Sequence, residues 1–468
     1  MCVLSFGLFT LNRDCNDRKK GSPTDVTGRQ NIARLAASRG RCAAFVEKLA
    51  NPTIRKSILA IAGQAVVSGT NFLTIVILGR LCGKEELGLY SLAFSIVIFV
   101  SELQMSLIST PYMVYSPRLK GREHAEYTGS SLLQQLGLTA TIVACLIPAA
   151  IALMFSEGRS TAAPVIWALA AAIGFIILRE YVRRICFSAL QMRMAFLFDC
   201  AVSTLQIAGL VALYRFGHLS ARNAYLVIGA ACGVIALAWM VRYRRVFTFR
   251  FSRAMADLAW NWTLGKWVVA SGLLWSLSMN FYPWILYYFA GEAEAGVFTA
   301  CYCIAAFGNM LLMGAQNFLG PKIAAIYAES GLARMRWFVV RASIAFLVPM
   351  LPFCLLLWVF GDPIVTFIYG AAFAGNGLLV CILALNLLAL ALAFSFSRAL
   401  FALERADVDF GVNLFALVTL LTVGLWLVRL HGALGAAWGL LLANIISSIV
   451  RGFVFFRFGR SCARSGVQ

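Results

Sequence analysis

Charge is what this chain has least of: only 13% of its 468 residues are Asp, Glu, Lys or Arg, against about a quarter in a soluble domain. With 61% apolar residues and a mean hydropathy of +0.82, that shortage excludes a soluble enzyme, a DNA-binding module and a disordered scaffold. Histidine is equally scarce, and His124, His218 and His431 lie too far apart to frame a metal site. No CxxC occurs among the 13 cysteines. Cys145, Cys200, Cys232, Cys354 and Cys381 sit in apolar runs and read as small buried hydrophobes. Cys301 and Cys303, two apart, point to different faces of a helix. There is no GxxxxGK[ST] loop, since Gly265-Lys266 lacks the upstream glycine, so a built-in ATPase is excluded. HExxH, GxSxG and paired-acid signatures are also missing. The chain reads as a non-enzyme without a cofactor.

Apolar length is abundant. Twelve stretches reach the roughly 20 residues that a membrane-spanning helix needs: 57–79, 88–110, 129–155, 161–182, 196–214, 223–241, 267–290, 295–319, 338–360, 376–397, 408–428 and 432–456. The expectation is an all-α polytopic membrane protein. A basic, disordered cytoplasmic tail (1–56) precedes an N-terminal six-helix bundle (57–241). A basic cytoplasmic linker (242–262), a C-terminal six-helix bundle (263–456) and a short cytoplasmic tail (457–468) follow. The net charge of +20 comes from 40 Lys and Arg against 20 Asp and Glu. With the termini inside, 32 of those cations fall on the inner side and six in outer loops. Basic residues between spans set topology, so both termini are expected to be cytoplasmic, and nucleic acid is not an expected partner.

The halves repeat. Ile77, Leu78, Gly83, Glu86, Gly88, Ile96 and Phe99 are identical to the residues 208 positions later, in the turns joining spans one and two and spans seven and eight. A weaker echo pairs Arg193 with Arg405 and Phe198 with Phe410. Six spans separate the copies, so the two bundles share one orientation about an axis along the membrane normal, an arrangement used by transporters.

Polar residues inside spans are costly against lipid and point to function. Gln64, Ser68 and Asn71 form one stripe on the first span. Ser91, Ser95, Glu102, Ser106 and Ser109 keep to one side of the second. Ser276 and Asn280 lie on the seventh span, Asn309 and Gln316 on the eighth. These spans come in repeat-related pairs and are read as lining a shared substrate cavity, with Lys266 and Trp275 as its phosphate-attracting cation and sugar-stacking ring. The bland alternative is helix-to-helix hydrogen bonding. Glu102 is the one carboxylate read as membrane-buried. Arg179, Arg183, Arg184, Arg341, Arg398 and Arg405 fall at inner helix ends, where most snorkel to headgroups. Few cations are expected deep in the N-terminal half.

The stretches LGRLCGKEELGLYSLAFSIVIF, PYMVYSPRLKGREHAEYTGSS and LHGALGAAWGLLLANIISSIV resemble the polysaccharide-biosynthesis or O-antigen flippases, within the superfamily of multidrug, oligosaccharidyl-lipid and polysaccharide exporters. The likeness covers about residues 55–456. It implies a multidrug-and-toxin-extrusion-like fold in a bacterial inner membrane. It also implies translocation of a polyprenyl-diphosphate-linked oligosaccharide by alternating access, for polysaccharide, O-antigen or lipopolysaccharide synthesis. Membrane lipids are then partners, with a polysaccharide polymerase or glycosyltransferases as further candidates. The rivals are a cation-coupled multidrug exporter of the same fold, a lipid II flippase (whose relatives carry fourteen spans), and a membrane polymerase or glycosyltransferase.

Overall fold

A computed structural model describes residues 52–155, 161–403 and 405–464. Most of the basic tail and the last four residues lie outside them. Among the described residues all regular structure is helical, with no strand. Among these residues nine stretches are long and apolar enough to cross a membrane. One of them, Val408–Arg457, holds two helices that bend at Gly432. Two further helical stretches, Phe251–Asn280 with Tyr282–Ala290 and Glu292–Ala305 with its continuation to Gly331, stand where spans seven and eight were expected.

The N-terminal six are α1 (Pro52–Cys82), α2 (Lys84–Gln104, extended by a π-helical turn Met105–Ser109 and Thr110–Tyr115), α3 (Gly121–Met154), α4 (Ala163–Ser188), α5 (Met192–Arg215) and α6 (Ala221–Arg242). In the second half, α7 runs Phe251–Asn280 and on through Tyr282–Ala290. α8 begins as Glu292–Ala305 and continues to a bend at Gly331, after which α9 reaches Tyr369. α10 (Gly377–Ala402), α11 (Ala406–Thr419 with a π-helical turn Leu420–Gly424) and α12 (from Gly432 to Arg464) complete it. Within the first lobe α1 packs on α5 and α4 on α6; within the second, α9 packs on α10 and α10 on α12.

The repeat has a structural reason. Gly83 and Gly291 both hold the same positive-φ conformation (φ 92° and 89°) just before α2 and α8, a region that glycine occupies without steric cost. Three residues on, Glu86 and Glu294 do the same work in each lobe. Glu86 accepts from the backbone N–H of Ala221 at the start of α6 (2.5 Å), and Glu294 from that of Ala433 at the start of α12 (2.8 Å). A carboxylate there satisfies an orphan N–H and the positive helix end. Gly88 and Gly296 then meet each other. A Cβ on Gly88 would lie 1.8 Å from the carbonyl oxygen of Glu292, and one on Gly296 1.9 Å from that of Lys84. Only two glycines let α2 and α8 approach this closely, on the axis that relates the lobes.

This contact lies at the end of the bundle away from the chain termini, here called the far face. The opposite end is the basic face. The apolar core runs continuously across both lobes at the far face, through Leu87, Leu92, Leu286, Val297 and Phe373. Toward the basic face the second lobe has its own described cluster, built on Ile323, Met335, Val339 and Phe455. The lobes meet again at the basic face along α3 and α7. There Glu126 takes Arg253 (2.7 Å), Arg122 (2.9 Å) and Arg250 (3.4 Å). Tyr127 donates to Asn261 (2.8 Å), which donates to Gln134 (3.0 Å).

Gly88→Val and Gly296→Val should each overpack the far-face contact, at a cost of about 1–3 kcal/mol. The check is the thermal unfolding midpoint of the purified protein, which should fall for both. An unchanged midpoint would contradict the close helix approach.

Candidate functional site

A cavity of about 270 Å³ lies inside the N-terminal lobe, walled by α1, α2, α4, α5 and α6. Three arginines reach it from α4. Arg179 and Arg183 are four residues apart and so share a face; Arg184 lies beside them. Asp199 on α5, 1% exposed, joins two of them: its Oδ1 accepts from Arg179 (3.1 Å) and its Oδ2 from Arg183 (2.9 Å). Glu180 binds Arg179 at 2.7 Å and lies 3.8 Å from Arg183 and 4.0 Å from Arg184. From α1, Gln64 accepts a second Arg183 N–H (3.0 Å) and donates weakly to Ser68 (3.4 Å).

With Glu102, the site holds three cations and three carboxylates, so it is close to neutral. The charges are not equally committed. Arg179, Arg183 and Asp199 are locked in charge-assisted hydrogen bonds, the strong kind. Among the described residues Arg184 has only the long Glu180 contact and a place over the Phe187 ring, 5.8 Å from its centroid. Glu102 lines the same cavity, half-buried, with no ion pair among the described residues. Asn71, Ser101, Ser203 and Gln206 add hydrogen-bonding groups to the wall. The arrangement can hold a polar guest with an anionic group at Arg184 and hydroxyl or cationic groups elsewhere.

A family model described as polysaccharide biosynthesis protein matches residues 53–327, more than half of the chain. The chain belongs to that family. No curated protein matches it. Among solved structures it is similar to an inward-facing multidrug resistance MATE family transporter of the MOP superfamily. The identity is 18% and the TM-score 0.70, over 87% of this chain and 100% of that one. An outward-facing MATE transporter superposes less well, with 18% identity, a TM-score of 0.57, and 88% and 96% of the two chains covered. A MOP transporter from Pyrococcus furiosus, described as having a binding pocket of reverse polarity, gives 18% identity and a TM-score of 0.58 over 87% and 94%. At such identities the likeness carries the fold. Family and fold together make this polysaccharide-biosynthesis family member a multi-pass membrane protein with the fold seen in MATE transporters.

The structure distributes the sequence-derived residues of this family member over more than one place. Gln64, Asn71 and Glu102 line the N-lobe cavity, with Ser68 beside it. Ser276 and Asn280 line a separate pocket of about 260 Å³ between α2 and α7, with Ser95, Phe99, Phe281 and Trp284. Trp284 donates to Ser95 there at 2.6 Å. Asn309 is exposed and lines no described cavity. The side chains of Lys266, Trp275 and Gln316 lie outside the described residues.

Three expectations need correction. Arg179 and Arg183 do not snorkel; they turn inward, because Asp199 offers a desolvated partner that headgroups cannot match. The N-terminal half therefore does carry deep cations. Glu102 is also not the one carboxylate buried within a span, since Asp199 and Asp409 lie inside apolar spans and are more deeply buried. Asp409 belongs to a second inward pair in the C-terminal lobe. It accepts from Arg451 (2.8 Å), which also donates to Asn413 (2.6 Å). The missed signal was an Asp inside each of two apolar spans, which requires a partner in lipid.

Removing one member of the Arg183–Asp199 pair leaves a buried charge uncompensated, at a cost of about 3–5 kcal/mol. Arg183→Gln and Asp199→Asn should each lower stability strongly, and the double variant by clearly less than their sum. Strictly additive losses in equilibrium unfolding would show that the two side chains do not interact.

Proposed function

We propose that the protein is a flippase that moves polyprenyl-diphosphate-linked oligosaccharide from the cytoplasmic to the outer leaflet of a bacterial inner membrane, for polysaccharide or O-antigen synthesis. The observation that carries this reading is the mixed-charge cavity of the N-terminal lobe, in which Arg184 keeps free donors. An arginine fork matches phosphate oxygens, and the amide of Asn71 with the hydroxyls of Ser101 and Ser203 suits sugar hydroxyls. The rest of the glycan occupies the space between the lobes, and the prenyl chain stays in lipid. The basic face is cytoplasmic in this reading, as the 32-to-6 distribution of Lys and Arg supports. Transport then opens the Gly88–Gly296 contact while the basic face closes. A gradient, the membrane potential, or consumption of product by a polymerase or glycosyltransferase supplies the direction.

A second reading, a cation-coupled multidrug exporter, draws on the carboxylates Glu102 and Glu180 in the same cavity, which suit a cationic guest or a coupling ion. Reconstitution of the full chain in proteoliposomes separates the two. The flippase reading expects translocation of a polyprenyl-diphosphate oligosaccharide, followed by glycan accessibility. Arg184→Gln should slow it roughly tenfold or more, the loss of one charge-assisted bond of about 1.5–3 kcal/mol. Glu102→Gln should impair it without blocking membrane insertion. Gradient-driven efflux of a cationic dye, abolished in Glu102→Gln and without any lipid translocation, would support the exporter and overturn the flippase.

A further inference from the structure

The seam between α3 and α7 holds a feature that the transport cavity does not use. A groove of about 370 Å³ runs along it, lined by Leu107, Leu133, Leu138, Phe251, Met255 and Leu258. Gly137 forms part of its wall, and a Cβ there would meet nothing within 4 Å. Phe251, Met255 and Leu258 are exposed, so the groove opens sideways to the surrounding medium. In a membrane that medium is hydrocarbon.

The basic-face end of this groove is charged. Arg250 and Arg253 flank Phe251 at the start of α7, and Arg122 faces them from the start of α3. All three surround one buried carboxylate, Glu126, and Asp257 lies 3.7 Å from Arg253. Cations outnumber anions there. Arg253 holds Glu126 most closely, at 2.7 Å. Arg122 gives it only Nε and Arg250 only one terminal nitrogen, and their side chains are 76% and 56% exposed. Each guanidinium carries five N–H donors, so both keep donors for another anion.

We propose that this seam binds an anionic phospholipid of the bilayer, its phosphate on Arg122 and Arg250 and one acyl chain in the groove beside Gly137. Charge at the interfacial end and hydrocarbon lining beyond it match that amphiphile. A glycan-bearing lipid is matched less well. Gln134 is the one side chain in the lining with amide groups, and both ends of it are used, by the carbonyl of Ala254 (3.2 Å) and by Asn261 (3.0 Å). A zwitterionic lipid brings its own cation toward the arginines and gains less. A lipid bound there touches α3 of one lobe and α7 of the other, so it stabilises the packing of the two at the basic face. The inference stands apart from the transported substrate and does not depend on it.

The test is the thermal unfolding midpoint of the full-length protein in detergent, titrated with phosphatidylglycerol or with phosphatidylcholine of the same chains. Phosphatidylglycerol should raise the midpoint by several degrees, and phosphatidylcholine should not. The shift should vanish in Arg122→Gln/Arg250→Gln, where Glu126 keeps Arg253, and shrink by at least half in Gly137→Phe, which fills the groove. Equal stabilisation by both lipids, or a full shift in the double arginine variant, would overturn the proposal. A full shift in Gly137→Phe would remove the acyl chain from the groove and overturn it in this form. Stabilisation by a polyprenyl diphosphate but not by phosphatidylglycerol would assign the seam to the substrate and overturn it too. Should Gly137→Phe fail to fold, the arginine variant decides.

Discussion

Two glycines that touch govern the architecture. Gly88 and Gly296 bring α2 and α8 together so closely that each would strike the other's backbone if it carried a Cβ. The turn before each glycine carries the carboxylate that anchors the sixth helix of its own lobe, Glu86 on α6 and Glu294 on α12. One short repeated segment thus sets the lobe's internal packing and places its contact with the other lobe. Because the copies face the same way, the contact falls on the axis that relates the lobes. The proposed transport cycle needs such a joint: strong enough to seal one face, small enough in area to be released.

The second constraint is electrostatic. Hydrocarbon offers no partner for a charge, so ionisable groups inside the bundle turn toward one another. In the N-terminal lobe this gives the Arg179–Asp199–Arg183 core, which orders α4, α5 and α1 around a cavity and leaves Arg184 and Glu102 facing the space. The fixed part holds the geometry, and the uncommitted charges are those the proposed function assigns to a guest. In the C-terminal lobe Arg451, Asp409 and Asn413 form a similar knot between α12 and α11, without a described cavity beside it. The halves share a fold and differ in what they offer a ligand.

Much of this was legible in the sequence. Length and hydropathy marked twelve spans, and the 208-residue offset between Gly83-to-Phe99 and its second copy marked two like-facing lobes. The repeat was visible as identity, but its meaning was not. No periodicity tells that Glu86 reaches a helix start 135 residues away, or that the two glycines meet. Of the stripe Gln64, Ser68, Asn71, the first and last line the N-lobe cavity with Ser68 beside it, because spacing on one helix fixes a face. Which helices shared a cavity was harder, since lateral neighbours depend on tertiary packing; Ser276 and Asn280 proved to line a different pocket from Glu102. The arginines of α4 were misjudged because a cation near a span end snorkels unless a carboxylate waits inside, and Asp199 is close to them only after α4 and α5 pack.

The account stands or falls on whether the far-face contact between the lobes opens during transport. Spin labels at the exposed positions His218 and Ala372, in far-face loops of the two lobes, report that gap by pulsed electron resonance in lipid. A single short distance is expected for the protein alone, with a longer population growing when polyprenyl-diphosphate oligosaccharide is added. One distance that stays unmoved while the substrate crosses the membrane would contradict it.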